Sequence, residues 1–238
     1  MMEGEPQERV QRYISDAASP WGRLSAQSVD SEELAFIRDS LGRCSSVLDA
    51  CGGTGICSAS LAKHSSVTVL DQSEKMLAHG RKLYPDIQFL QGSVLSMPFG
   101  DASFDGVLIR ASMMYFSLPD QMRYFSEACR VLKPGGRLCL IERNRRDFRF
   151  AFTPASIAID PFEKQHDFLD FASAHGLLQK AGFKVEVSRG FLFCLPRLRG
   201  LLSPRKLSDS DRFEPLVFRG LAKFLPRWAR WILIVARK

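Results

Sequence analysis

The chain has 238 residues, 45% of them hydrophobic and 25% charged, with a formal net charge of +7. That length and composition leave room for one large α/β domain or two small ones, each with a real core, and exclude a disordered chain. The positive charge is concentrated at one end: residues 189–238 hold twelve Lys and Arg against three Asp and Glu, whereas residues 1–188 hold 21 against 23.

In chain order, the opening MMEGEPQERVQRY is charged and lacks the apolar core of a signal peptide. Residues 1–42 are expected to form a helical N-terminal cover. Apolar β-like runs then alternate with amphipathic helices, the pattern of a parallel sheet covered on both faces. The runs are Ser46–Asp49, Val67–Asp71, Ile87–Gln91, Gly106–Ile109 and Arg137–Glu142, followed by Lys184–Ser188 and Ile232–Ala236. Ser73 is placed to cap the helix EKMLAHGRKLY, with Glu74 in its first turn. Pro119 and Asp120 open another helix, on which Met122, Phe125, Cys129 and Leu132 share one face and which Lys133-Pro134-Gly135-Gly136 ends. Phe168, Phe171, Ala172 and Leu178 mark a last helix, with His175 on its apolar side as a core histidine. The seven strands read as a single domain over 1–238, with an insertion at 190–230 before the last strand. The longest uncharged apolar run, Trp231–Ala236, is too short to span a membrane. Six scattered cysteines form no CxxC pair, so a reduced, cytoplasmic compartment is expected. No His/Asp/Glu set has metal-ligand spacing, and no metal is expected.

The stretch VLDACGGTGICSASLA, residues 47–62, joins the first strand to the following helix through a small-residue turn. In an open α/β sheet, ligands bind beyond the carboxyl ends of the strands. A dinucleotide would need Gly at the last position of G-x-G-x-x-G, but Gly53-Thr54-Gly55-Ile56-Cys57-Ser58 ends in Ser. Asp49 would also point a carboxylate at the pyrophosphate. A phosphate-free cation removes that conflict. S-adenosylmethionine (SAM) carries an ammonium and a sulfonium that suit an acid, and a carboxylate that suits the turn amides. Asp71 ends the second strand, 22 residues on, where an acid can accept from ribose hydroxyls.

VLDACGGTG, VLDQSEKML, GSVLSMPFGDASFDGV and RVLKPGGRLCLIE resemble the successive motifs of class I SAM-dependent methyltransferases, in the type 11 and ubiquinone/menaquinone-biosynthesis-like branch. The resemblance covers roughly residues 45–145. It implies a Rossmann-like three-layer sandwich around a seven-stranded sheet, order 3-2-1-4-5-7-6, with the last strand antiparallel. It also implies that Asp49, Cys51, Gly52, Gly53 and Gly55 line the methionine part of SAM. Asp71 would hold the ribose, Gln72 and Met76 would flank the adenosine, and Ser93 and Val94 would lie beside adenine. Arg110 would face the methionine end or the substrate. Two positions depart from the family pattern. Cys51 replaces the first glycine of the turn, and Ser93 stands where relatives often carry Asp.

The methyl of a sulfonium is already activated, so positioning and water exclusion can supply much of the acceleration. A base helps when the acceptor is a hydroxyl or an acidic carbon. The candidates are His166, Tyr115 and Glu142, against plainer readings as a solvated helix-start residue, ordinary packing, and a salt bridge to Arg143 or Arg145. Tyr13 and Trp21 are placed to close over the site or to join the core. Arg219, Lys223 and Arg227 repeat at helical spacing opposite Leu216, Val217, Leu221, Phe224 and Leu225. This amphipathic basic segment suits peripheral contact with an anionic membrane surface, a cleft for an acidic lipid-like substrate, or a solvated face. Nucleic acid is disfavoured, because neither an NPPY-like motif nor a Pro-Cys nucleophile motif is present. The expected function is methyl transfer from SAM to a small-molecule or lipid-like acceptor at O, N or C. The rivals are a non-catalytic SAM-binding scaffold and an RNA methyltransferase. Oligomeric state is left open.

Overall fold

The computed structural model describes residue 29, residues 31–146, residues 168–191, residue 229 and residues 231–238. Helix α1, Ser31–Leu41, carries Glu32 and Glu33 in its first turn and Arg38 in its last, both favourable to the helix dipole. It buries Phe36, Ile37 and Leu41 against the sheet. Strand β1 (Ser46–Ala50) leads to β2 (Ser66–Asp71) through a 3-10 turn at Ser58–Ser60 in place of the helix expected after the small-residue turn. Helix α2 (Glu74–Leu83) starts where expected, with the Ser73 hydroxyl accepting from the Met76 N–H. Next come β3 (Gln88–Gln91), β4 (Phe104–Arg110) and a 3-10 turn at Met113–Tyr115. Helix α3 (Leu118–Val131), β5 (Leu132–Arg143), α4 (Phe171–Lys180), β6 (Lys184–Phe191) and β7 (Trp231–Arg237) complete the described elements.

The sheet order is β3-β2-β1-β4-β5-β7-β6. Strands β1 to β5 pair in parallel, and β7 runs antiparallel between β5 and β6. This is the expected fold class and strand order. Alternation along the strands divides the core in two. Leu48, Leu70, Val107, Leu138, Leu140 and Ile234 face α3 and α4, whereas Val47, Val69, Leu108, Cys139, Ile141 and Val235 face α1 and α2.

Three local expectations are corrected. The buried face of α3 is Gln121, Tyr124, Phe125, Ala128 and Val131, rather than the stripe through Met122 and Cys129. The helix rotates because two polar side chains find partners inward: Tyr124 Oη donates to the Ala50 carbonyl at 2.8 Å, and Gln121 Nε2 to the Met113 carbonyl at 3.0 Å. On α4, Ala174 and Leu178 are buried and Ala172 is exposed, with the start fixed by a reciprocal Asp170–Ser173 capping box. His175 is therefore not a core residue. Its Nε2 lies 2.7 Å from Ser188 Oγ on β6, and its ring stands edge-on to Phe171. Finally, Lys133-Pro134-Gly135-Gly136 ends α3 but lies within the span of β5. The pairing with β4 jumps from Phe104–Leu132 to Gly106–Arg137, so these residues form a wide bulge. Gly135 there has φ +78°, and the bulge is pinned by Lys238, whose N–H donates to Gly136 O at 3.0 Å.

Among the described residues, no helix is long and apolar enough to cross a membrane. No group of three or more His, Cys, Asp or Glu among them could hold a metal ion.

Candidate functional site

Asp49 lies near the carboxyl end of β1 and Asp71 at that of β2, in neighbouring parallel strands. Between them runs the small-residue turn. Its geometry explains its composition. Cys51, Gly53 and Gly55 all have left-handed φ, at +59°, +55° and +73°, where glycine is at home and a side chain is strained. The family's glycine at the first of these positions thus has a backbone reason, and Cys51 adopts the same conformation at a cost of about 1–2 kcal/mol. Gly52 is required by space: a Cβ there would sit 2.5 Å from Asp49 Cγ.

Asp49 is 2% exposed, and the buried Ser58 hydroxyl donates to its Oδ2. Burial pushes the Asp49 carboxyl up to about 7, against the opposing pull of Ser58 and Arg110. Asp71 accepts from Gly53 N–H at 2.9 Å on Oδ2 and from Ser73 N–H at 2.8 Å on Oδ1. It ties the turn to the start of α2, and burial raises its pKa as well. Met76 reaches the same turn, its Cε 3.2 Å from where a Cβ on Gly53 would lie. Gln72 is exposed, and its carbonyl accepts from Gln91 Nε2 at 3.1 Å. Ser93 is half-buried, and its hydroxyl accepts from Leu95 N–H at 3.2 Å. The Val94 side chain is packed in the core, which leaves only its backbone for contact with a ligand.

Glu142, at the carboxyl edge of β5, is enclosed. Its Oε1 accepts from Ser112 N–H at 2.7 Å and Met113 N–H at 2.9 Å, and burial raises its pKa to about 7. It supports the loop after β4 from behind. The expected ion pair with Arg145 does not form; Arg145 and Arg146 both pair with Asp170, at 2.8 and 3.0 Å. Tyr115 is half-buried in the 3-10 turn of that loop. Arg110, at the end of β4, forms an ion pair with Glu33 of α1, with Nη2 to Oε2 at 3.2 Å, and its guanidinium lies 5.8 Å from the Trp231 ring centroid. Its charge also reaches Asp49, on the neighbouring strand. His166, Tyr13, Trp21 and the helical repeat through Arg219, Lys223 and Arg227 lie outside the described residues.

The structure thus brings Asp49, Asp71, Gly52, Gly53, Gly55, Cys51 and Met76 around one turn. Sequence reasoning missed Ser58, Tyr124 and Glu33. Ser58 left a signal: it is the residue that spoils the dinucleotide pattern, and it is kept small and polar because it hydrogen-bonds Asp49. Glu33 left none, because its partner is 77 positions away. The arrangement can stabilise positive charge. Buried carboxylates in a low-dielectric setting gain strongly from a cation that replaces their lost hydration. The residues present therefore fit a cationic, phosphate-free ligand.

Residues 47–136 match a family model described as a methyltransferase domain. A demethylmenaquinone methyltransferase of Chlorobaculum tepidum is 43% identical over 98 residues, 40% of this chain and 40% of that protein. The chain thus spans about two fifths of the length of the first curated relatives it matches. A protein of the same name from Lactococcus lactis is 29% identical over 210 residues, covering 74% of this chain and 82% of the relative. Among solved structures, a SAM-dependent methyltransferase of Thermotoga maritima, described as a possible histamine N-methyltransferase, superposes with TM-score 0.70 at 22% identity, covering 94% and 98% of the two chains. The [4+2]-cyclase SpnF superposes with TM-score 0.67 at 18% identity over 100% of this chain and 98% of that one. At these identities the structural likeness shows the fold.

Proposed function

We propose that this chain is a class I SAM-dependent methyltransferase and that it transfers the methyl group of SAM to a small, lipid-like acceptor. The carrying observation is the pair of strand-end acids, the buried Asp49 and the half-buried Asp71, on either side of a glycine-rich turn that Asp71 itself ties down through the Gly53 N–H. Relatives named demethylmenaquinone methyltransferase support a lipid-like acceptor, and a quinone-like ring is the one we propose.

SAM supplies an activated methyl on a sulfonium. The chain's own contribution is positional and electrostatic. Asp49, oriented by Ser58, offers negative charge to the cationic methionine part. Asp71 exchanges the Gly53 N–H for ribose hydroxyls, while Gly52 makes room for the Asp49 carboxyl and Gly53 leaves the main chain open to close approach. Met76 packs beside the adenosine, and Ser93 and the Val94 backbone line the adenine side. Glu142 holds Ser112 and Met113 so that Tyr115 and the wall after β4 stay in place, and this makes it a positioning residue. His166 remains our candidate for a base, should the acceptor need one. We further take 1–238 as one domain, with 1–42 as a cover and 190–230 as an insertion that can meet an anionic membrane surface.

The test is calorimetry with SAM and S-adenosylhomocysteine, followed by transfer of labelled methyl to demethylmenaquinone. Binding of both ligands and label in the quinone fraction are expected. Wild-type chain that is folded but binds neither ligand would overturn the reading. A second reading, a SAM-binding scaffold without transfer, is favoured by the strained Cys51 in the turn and by Ser93, whose hydroxyl already serves Leu95. It predicts binding of both ligands with no turnover on any acceptor.

A further inference from the structure

At the opposite pole of the sheet lies a cavity of about 400 Å³, lined by Arg38, Asp39, Gly42, Arg43, Ser60, Leu61, His64 and Arg137. Register fixes its place. Arg137 pairs with Gly106, which pairs with Val47, and Arg43 and His64 precede β1 and β2. These are the amino ends of the parallel strands, whereas Asp49 and Asp71 mark the carboxyl ends. The cavity is therefore separate from the cofactor cleft. Its volume falls within the range of about 300–1,000 Å³ usual for small-molecule sites.

The charges in the cavity are unbalanced. Three guanidinium groups come from three separate elements: the last turn of α1, the loop after it, and β5 just past its bulge. Among the described residues, no carboxylate lies within ion-pairing distance of Arg38 or Arg43. Arg137 has only a 3.6 Å contact to Glu186, and Glu186 is more closely engaged by Arg237, at 2.6 Å. The Arg38 position alone would be explained by the helix dipole. Arg43 has no such explanation and Arg137 only the longer Glu186 contact, and with Asp39 the one carboxylate in the lining the three guanidinium groups leave a net positive concavity that favours an anion. A guanidinium is the side chain best shaped for phosphate, which it grips through two parallel hydrogen bonds. The rest of the lining suits the body of an organic phosphate. Asp39 and Ser60 offer groups for hydroxyls, and the buried Leu61 an apolar wall.

We propose that this cavity binds a small phosphorylated molecule, with its phosphate held among Arg38, Arg43 and Arg137 and its hydroxyl-bearing body toward Asp39 and Ser60. The site goes beyond the transferase reading and does not rest on it.

The experiment is calorimetry on the full chain with ribose 5-phosphate and inorganic pyrophosphate, with ribose as the neutral control. Wild type is expected to bind at least one of the phosphates with one-to-one stoichiometry, and not ribose. Arg43→Gln, and more so Arg38→Gln/Arg43→Gln, should weaken that binding roughly tenfold or more, with thermal unfolding and SAM affinity unchanged. These arginines are exposed, so the variants should fold. Arg43→Lys should retain part of the affinity. The proposal is overturned if wild type binds neither phosphate, or if the double variant binds them as well as wild type. It is overturned equally if only a short RNA duplex binds, with steep salt dependence.

Discussion

Replacing Asp49 by Asn should separate stability from binding. In the ligand-free fold the Asp49 carboxyl is held at about 7 against an ordinary 3.8. Above pH 7 the fold therefore carries the charged form at a penalty on the order of 4 kcal/mol, at 1.36 kcal/mol per pH unit. The sign follows from linkage. The folded value lies above the unfolded one, so the folded state holds the proton more tightly, and stability falls as pH rises from about 4 to about 7. Asn is isosteric and uncharged and keeps an oxygen for Ser58, and the value of about 7 already contains the charge-assisted part of that bond. The gain at about pH 8 is therefore up to about 4 kcal/mol. For a chain of this size each kcal/mol moves Tm by roughly 2–4 °C, so Asp49→Asn should unfold up to roughly 8–16 °C higher than wild type at about pH 8. At about pH 4 the folded carboxyl is neutral and the unfolded one only partly ionised, so the difference should shrink to a small fraction of its value at about pH 8. Thermal unfolding by circular dichroism at the two pH values reads the effect. Repeating it with SAM should stabilise wild type and leave the variant little changed. A variant less stable than wild type at about pH 8, or an equal gap at both pH values, would refute the reasoning.

Other outcomes follow from the same geometry. SAM affinity should rise with pH through about 7 and level off above it, because a bound cation favours the ionised forms of Asp49 and Glu142; calorimetry in buffers of different ionisation enthalpy would show proton release on the acid side. Asp71→Ala should weaken SAM binding about tenfold or more, through loss of charge-assisted bonds, while the far-UV spectrum stays that of wild type. Gly55→Ala should destabilise the chain by about 1–3 kcal/mol in urea, since φ is +73° and the added Cβ would lie 2.9 Å from the Phe89 ring. Phe125→Ala, emptying a fully buried position in α3, should cost about 3–5 kcal/mol by the same measurement.

The parts of the fold legible in the sequence were those with a local cause. The strands of the parallel sheet stand out because both their faces are buried, which makes them nearly continuous apolar runs such as Val107–Ile109. Ser73 and the Pro119-Asp120 start were readable because capping is a matter of a few adjacent residues. What depended on distant partners was not readable. The rotation of α3 is set by the carbonyls of Ala50 and Met113, the exposure of His175 by Ser188, and the orientation of Arg110 by Glu33. The strand order itself came from resemblance to a family and not from periodicity, which cannot distinguish neighbours across a sheet. In the site, the two acids were legible because charge at the end of an apolar strand needs a reason. Glu142 was noticed for the same reason but read as a candidate to orient the acceptor or as half of an ion pair, since nothing in its neighbourhood along the chain reveals that the amides of Ser112 and Met113, in the loop after β4, reach it.

The Phe89 ring occupies the space that a Cβ would need at both Gly55 and Gly80. One aromatic residue on β3 thereby keys the turn after β1 to the middle of α2, and the three positions form an epistatic unit. A smaller residue at position 89 relieves the ring contact of alanine at Gly80 but not the 2.8 Å approach to the Thr54 carbonyl, so a double-mutant cycle of Gly80→Ala with Phe89→Leu should give a favourable coupling that rescues only part of the loss. Drift at these positions is then constrained to concerted steps, and substitutions scored singly would overstate how intolerant the turn is.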